Sequence, residues 1–329
     1  MSARILTLAA ESFPIAGKFT ISRGSRTEAV VVTVTLVEGG ATGRGECVPY
    51  KRYGESVEGV LAEIERLRGA LEAGLDRHRL QEAIGPGAAR NAIDCALWDL
   101  EAKRTGVPAH VAAGIDRLRP LTTAYTISLD APDAMREAAE KAAARPILKI
   151  KLGAPEGDLE RIAAVRRGAP DATLIADANE GWTPDNVAAH MRACAEAGFS
   201  LVEQPLHADH DEALRGIDRP LPLCADESAH DRTSLDRLAG LYDLVNIKLD
   251  KTGGLTEALA LARAAQERGF GLFVGCMLGT SLAMAPATLV AAGARFVDLD
   301  GPLLLARDRE SALRYEGSLV HPPARELWG

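Results

Sequence analysis

The chain has 329 residues, of which 47% are hydrophobic, 26% charged and only 4% aromatic, and its formal net charge is −8. That length admits two domains of average size or one large α/β barrel with an added domain. The negative balance argues against a general binder of nucleic-acid backbone, which needs a positive field. Cys47, Cys95, Cys194, Cys224 and Cys276 are odd in number and form no C-x-x-C pair, so they read as reduced thiols of a cytoplasmic protein. The opening MSARILTLAAESFP is too short in apolar residues for a secretion signal, and no window approaches a membrane span.

In chain order, ILTLAAESFPI and EAVVVTVTLVEGGATGRGECVPY read as antiparallel strands, with β-branched residues and a turn at Gly39-Gly40. SVEGVLAEIERLRGALEAG and GAARNAIDCALWDLEAKRTG carry apolar residues at helical spacing, the second closed by Gly106 and Pro108. Residues 1–118 are therefore expected to form an α+β unit. From Thr122 the pattern repeats as buried strand then helix: TTAYTISL, ILKIKLG, TLIADAN, SLVEQPL, LPLCADES, DLVNIKLD, GLFVGCML and RFVDLDG. Helical segments such as DAMREAAEKAAA and LTEALALARAAQERG lie between them. An eight-fold βα count, with no G-x-G-x-x-G after a first strand, favours a closed (β/α) barrel over a doubly wound sheet. The barrel is placed at 119–305, and a C-terminal segment, 306–329, is expected to pack back toward the first unit.

ILKIKLG raises a question, because lysine is among the residues least often buried in such a strand. Alternation sends Lys149 and Lys151 to one face, about 7 Å apart at roughly 3.3 Å per residue. An exposed edge strand would explain them, but an active-site face would too. Asp177 in IADAN, Glu203 in VEQP and Asp226 in CADES end three consecutive strands. Each alone reads as a helix cap; together, converging carboxylates need a cation, and an all-oxygen set selects a hard metal such as Mg²⁺, one per site. Asn179 and Glu227 lie beside two of these ligands and can orient them, although Glu227 can equally point into solvent. Lys248 ends the sixth strand, across an eight-fold ring from the lysine pair. Lys251, three residues later, reads as a solvated charge or a structural contact and is set aside as a catalyst. A metal flanked by lysines suits removal of a proton next to a carboxylate, the enolate being stabilised by cations. Neighbouring positive charge is expected to keep Lys151 neutral enough to act as the base.

The order K-x-K, Asp, Glu, Asp, Lys behind an α+β domain resembles the enolase superfamily, in its muconate-lactonizing-enzyme subgroup. Within it the chain is most similar to the L-Ala-D/L-Glu epimerases, through RGSR, GECVPYKRYGES, CADES, VNIKLDKTGGLTEALALA, GCMLGTS and DLDGP. The resemblance implies a modified TIM barrel with an N-terminal capping domain, and a Mg²⁺-dependent dipeptide epimerase of murein peptides. It implies that Lys149 assists at the substrate carboxylate, that Lys151 and Lys248 are the two acid/base catalysts, and that Asp177, Glu203 and Asp226 hold the metal. It also implies that Asp298 and Asp300 hold the substrate ammonium group, and makes Arg23 and Arg26 candidates for its side-chain carboxylate. Tyr50, Lys51 and Tyr53 are further candidate contacts, and copies of the chain can associate. GLFVGCML has no histidine, so a lysine must serve where the mandelate-racemase branch uses a His-Asp base. The alternative is an elimination or cycloisomerisation, as in o-succinylbenzoate synthase, and a third is a scaffold protein without turnover. Asp298 and Asp300 disfavour the elimination, because its substrates carry no ammonium group.

Overall fold

The computed structural model describes residues 4–329. Its N-terminal unit is an antiparallel sheet in the order β1 (Ile5–Ile21), β2 (Gly24–Glu38), β3 (Ala41–Cys47). β1 runs well past Pro14, further than the sequence pattern suggests, with a register shift between Pro14 and Phe19. The proline is tolerated because β1 is an edge strand and owes no N–H to a further neighbour. Ile21 pairs with Gly24, so Ser22 and Arg23 form the tip of a long hairpin. Gly24 takes φ of 126°, a conformation that favours glycine.

Helices α1 (Val57–Arg66), α2 (Arg68–Glu72), α3 (Arg77–Ala83), α4 (Ala88–Thr105) and α5 (Ala109–Ala112) follow. Ser56 and Asp76 cap α1 and α3 by accepting backbone N–H bonds, and Gly106 ends α4 in the left-handed conformation, as its position predicts. α4 lies directly on β3: a Cβ at Gly45 would meet the Ala92 carbonyl oxygen at 2.1 Å, so only glycine permits this approach.

The second unit holds β4 (Leu121–Thr122), β5 (Tyr125–Ile127), β6 (Ile147–Lys151), β7 (Thr173–Asp177), β8 (Phe199–Glu203), β9 (Leu223–Ala225), β10 (Leu244–Ile247), β11 (Gly271–Val274) and β12 (Phe296–Val297). β5 to β12 form one eight-stranded sheet in sequential order, with parallel pairing throughout. The ring is joined where Ala124 N donates to Val297 O at 2.8 Å. Outer helices are α6 (Pro132–Lys141), α7 (Asp158–Gly168), α8 (Val187–Glu196), α9 (Leu235–Leu238), α10 (Leu249–Thr252), α11 (Leu255–Glu267), α12 (Ser281–Ala291) and α13 (Gly301–Leu304). The βα repeat is uneven: a 3₁₀ segment, Ala208–Leu214, joins β8 to β9, and SLDRLAGL yields only the short α9 after another 3₁₀ turn. Among the described residues no helix is long and apolar enough to cross a membrane.

β13 (Tyr315–Glu316) pairs with β14 (Leu319–Val320), which in turn pairs with β4, all antiparallel. The chain then reaches α4, where Trp328 Nε1 donates to Cys95 O and Gly329 N to Asp99 Oδ1. The two units are docked by buried polar contacts. Arg90 on α4 donates to Thr252 O and Gly253 O at 2.7 and 3.0 Å. Asp250 Oδ1 accepts from Val48 N and Asn91 Nδ2 at 3.0 and 2.9 Å.

Burial pushes the Asp250 carboxyl up to about 7, its two hydrogen bonds offsetting this only in part. A raised carboxyl binds its proton more tightly in the folded state, so its contribution is greatest below about pH 4 and is lost as pH rises toward 7. Asp250→Asn keeps an acceptor for both donors and carries no charge. The variant is expected to gain on the parent by about 3 kcal/mol between pH 5 and pH 8, read from thermal unfolding across pH. A difference in Tm that does not vary with pH would contradict a buried, proton-retaining Asp250.

Candidate active site

The site follows from strand alternation. Ile147, Ile175, Leu201, Cys224, Leu244, Phe273 and Phe296 cluster inside the barrel as an apolar floor. Two residues further along the same strands come Lys149, Asp177, Glu203, Asp226, Asn246 and Asp298, and two further still Lys151, Lys248 and Asp300, all pointing inward. Register aligns them, since Lys151 is opposite Asp177 and Asp177 opposite Glu203. Every one of these groups is buried.

Ionic contacts follow from this crowding. Lys149 Nζ stands 2.8 Å from Asp298 Oδ2, 2.9 Å from Glu203 Oε2 and 3.1 Å from Asp177 Oδ2. Lys151 Nζ donates to Asp177 Oδ2 and Lys248 Nζ to Asp226 Oδ2, both at 2.6 Å. The edge-strand reading of ILKIKLG is thus excluded, because Lys149 is 1% exposed. Burial lowers the Lys149 ammonium, but Asp298, Glu203 and Asp177 override it and hold the group well above the usual lysine range. Lys248 is likewise held up against burial, chiefly by Asp226. Asp177 sits below the usual range because Lys151 and Lys149 outweigh its burial. Burial, then the Asp177 charge, pushes Glu203 up to about 7. With the carboxylates turned on lysines, both Lys149 and Lys248 are cations, which is the opposite of what a base requires.

Among the described residues no three His, Cys, Asp or Glu side chains stand as a ready-made metal cage. The donor chemistry nevertheless fits a hard cation. All three converging carboxylates are oxygen donors, and Glu203 Oε2 is buried without a hydrogen bond of good geometry although Lys149 lies near it. Asp177 Oδ1 is held by Asn179 N at 3.0 Å.

Above the ionic layer lies a small cavity of about 80 Å³. Lys151 and Lys248 line it together with Asp226, Glu227 and Asn179 from the barrel. Cys276, Met277 and Leu278 form another wall, and Phe19, Ile21, Arg23, Arg26, Val48, Tyr50 and Tyr53 form the roof. Asp298 and Asp300 lie below this wall, Asp298 Oδ2 held by Lys149 and Asp300 Oδ2 by Thr126 N at 2.7 Å. Lys51 borders an outer groove instead of the cavity. Glu227 does not face solvent: its Oε1 accepts from Arg23 Nη2 at 2.6 Å and Asn179 Nδ2 at 3.3 Å.

The roof is tied down at one loop. Arg23 Nη1 donates to Asn179 O at 2.8 Å, and Arg23 Nη2 to the Tyr50 hydroxyl at 3.0 Å. Arg52 makes a bidentate pair with Glu180, 2.7 Å to each oxygen, and Arg23 meets the same carboxylate at 3.1 Å. Asn179 and Glu180 both take positive φ. Arg26 makes no side-chain hydrogen bond or ion pair among the described residues, and its guanidinium lies 5.3 Å from the Tyr50 ring centroid. Sequence reasoning missed the Arg52–Glu180 pair and Asn246, while of its two readings of Lys251, solvated charge or structural contact, the structure shows the contact. Asn246 was accessible to it, because it shares the inward parity of Lys248.

Two family models match this chain: "Enolase C-terminal domain-like" over residues 134–325, and the N-terminal domain of mandelate racemase / muconate lactonizing enzyme over residues 3–112. L-Ala-D/L-Glu epimerase of Escherichia coli (strain K12) is 48% identical, the match covering 94% of this chain and 97% of that protein. An enolase family member from Agrobacterium tumefaciens with homology to dipeptide epimerases, solved with bound sodium and L-Ala-L-Glu, superposes with a TM-score of 0.98 at 56% identity, over 99% of this chain and all of that one. A dipeptide epimerase from Enterococcus faecalis V583, complexed with Mg and L-Leu-L-Tyr, gives a TM-score of 0.91 at 28% identity, over 100% and 99% of the two chains.

If the Arg52–Glu180 pair fastens the roof, Arg52→Ala should raise amide hydrogen exchange at residues 22–26 and 50–54 by about ten-fold, the worth of one partly exposed bidentate pair. Unchanged exchange would show that packing of Tyr50 and Tyr53 holds the loop without it.

Proposed function

This chain belongs to the enolase superfamily, in the mandelate racemase / muconate lactonizing enzyme family, and from that premise we propose that it is a Mg²⁺-dependent dipeptide epimerase. The reaction is a 1,1-proton transfer at the α-carbon of the C-terminal residue, with L-Ala-L-Glu from murein peptides as the proposed substrate. The observation that carries this reading is the pair Lys151 and Lys248. They line one cavity from β6 and from the end of β10, strands four apart in the eight-strand ring, each tethered to a different carboxylate. Two acid/base groups on opposed walls can address both faces of one α-carbon.

In this mechanism Asp177, Glu203 and Asp226 hold Mg²⁺, whose charge, when bound, stabilises the enolate formed next to the substrate carboxylate. One lysine removes the α-proton and the other delivers a proton to the opposite face, so one proton leaves and one arrives in either direction. Lys149, fixed among carboxylates, keeps its charge and supplies a cation at the substrate carboxylate. Asp298 and Asp300 are assigned the ammonium group of the first residue. Arg23 is committed to Glu227 and Asn179, whereas Arg26 makes no side-chain hydrogen bond or ion pair among the described residues and lines the same cavity, so Arg26 is the first candidate for the glutamate side chain. The Tyr50 and Tyr53 rings enclose that end and exclude water. Asn179 and Glu227 orient the carboxylates beside them.

The deciding experiment is proton NMR of L-Ala-L-Glu with enzyme and Mg²⁺ in D₂O. Loss of the glutamate α-proton signal together with a second diastereomer is expected, and excess chelator should stop both until Mg²⁺ is restored. Exchange or turnover that persists in chelator would exclude the metal reading, and no exchange on any dipeptide would exclude the epimerase. Lys151→Ala and Lys248→Ala should each abolish epimerisation while sparing α-proton exchange from one diastereomer, a different one in each variant. Equal loss of exchange from both diastereomers in both variants would contradict the two-face assignment.

A further inference from the structure

Lys251 is the cation at the barrel mouth that the mechanism does not use. It sits in α10, one turn beyond Lys248, and its side chain is wholly buried. It does not line the cavity. An ammonium group has three N–H donors, and all three are spent within the protein. They go to Asp226 Oδ1 at 2.6 Å, Asp226 O at 2.5 Å and Asn246 O at 2.9 Å. The group therefore grips one residue by both its side chain and its backbone, and the neighbouring strand by a carbonyl. Asn246 continues the chain, because its Nδ2 donates to Glu203 Oε1 at 2.7 Å.

From these contacts we infer that Lys251 is a positioning residue: with Asn246 it forms a bracket that fixes Asp226 and Glu203 so that each presents one oxygen toward the bound cation. The inference rests on the metal-dependent reading above. In this arrangement Asp226 Oδ1 is locked to Lys251 and Glu203 Oε1 to Asn246, leaving Asp226 Oδ2 and Glu203 Oε2 as the free-facing atoms. Oδ2 meets Lys248, and Oε2 has no good hydrogen bond although Lys149 Nζ lies 2.9 Å from it. Two effects of Lys251 oppose each other. Its charge repels a second cation, yet without it a fully buried carboxylate loses its fixed partner and its orientation. Partners that orient ligands are typically worth 10–100-fold in metal affinity. The positioning effect is expected to win, because Asp226 lies between the two charges and screens them.

The test is titration of the full-length protein with Mn²⁺, free ion being counted by electron paramagnetic resonance, with a parallel thermal melt of each variant. Lys251→Met removes the donors at similar length, and Asn246→Ser removes only the amide while keeping the carbonyl that Lys251 needs. Both should weaken Mn²⁺ by at least ten-fold, with kcat/KM restored in part by raised metal. The Asn246→Ser variant carries the test if Lys251→Met does not fold. Affinity that is unchanged or tighter in a folded variant overturns the bracket and leaves the epimerase reading intact. A parent enzyme that binds no Mn²⁺ sinks the metal reading itself, and the bracket with it.

Discussion

The structure turns on a sheet of buried charge laid over a sheet of buried hydrocarbon. Seven inward residues of the barrel strands make an apolar floor, and the next inward positions are almost all ionic. Such a layer is stable only if its charges are matched, since removing one partner of a buried pair costs about 3–5 kcal/mol. Here Lys149, Lys151, Lys248 and Lys251 face Asp177, Glu203, Asp226 and Asp298 at hydrogen-bond or ion-pair distance. Neither set could be buried without the other. The matched layer is thus both a condition of the fold and the source of its chemistry.

The capping unit meets this layer with unequal firmness. α4 is locked to the barrel by Arg90, Asn91 and Asp94, which bond residues of α10, α11 and the turn between them. The hairpin tip and the loop around Tyr53 hang instead on the β7–α8 loop, through Arg23, Arg52 and Ser22. Its anchor Asn179 lies two residues after Asp177, so the roof is fastened beside a carboxylate of the ionic layer. Ligand entry and the state of that carboxylate share one support.

The barrel and the inward carboxylates were legible because period-2 alternation needs only local sequence. Lys149, Lys151, Asp177, Glu203, Asp226 and Lys248 all come from strands or their first residue beyond. For Lys251 a solvated charge and a structural contact both stood open, because it follows the strand on a short helix where alternation says nothing, and the structure shows the contact. Its burial comes from α10 folding over the strand ends. The pair Arg52–Glu180 joins residues far apart in sequence, and no local pattern reports such a meeting. β1 runs on past the ILTLAAESFPI segment to Ile21 because pairing with β2 resumes after the register shift between Pro14 and Phe19, which local pattern does not report.

A tension remains between charge matching and catalysis, and it gives the carboxylates a second task. Asp226 and Asp298 keep Lys248 and Lys149 protonated, which suits Lys149 but not a lysine that must accept a proton. In the proposed mechanism, a divalent cation engaging Asp226 Oδ2 would weaken the field that holds Lys248 charged, and its positive charge would lower that group further. On that proposal Asp226 would store Lys248 as a cation in one state and release it as a base in the other. Lys251 would keep its partner through both states, since it holds Asp226 Oδ1 and leaves Oδ2 to Lys248.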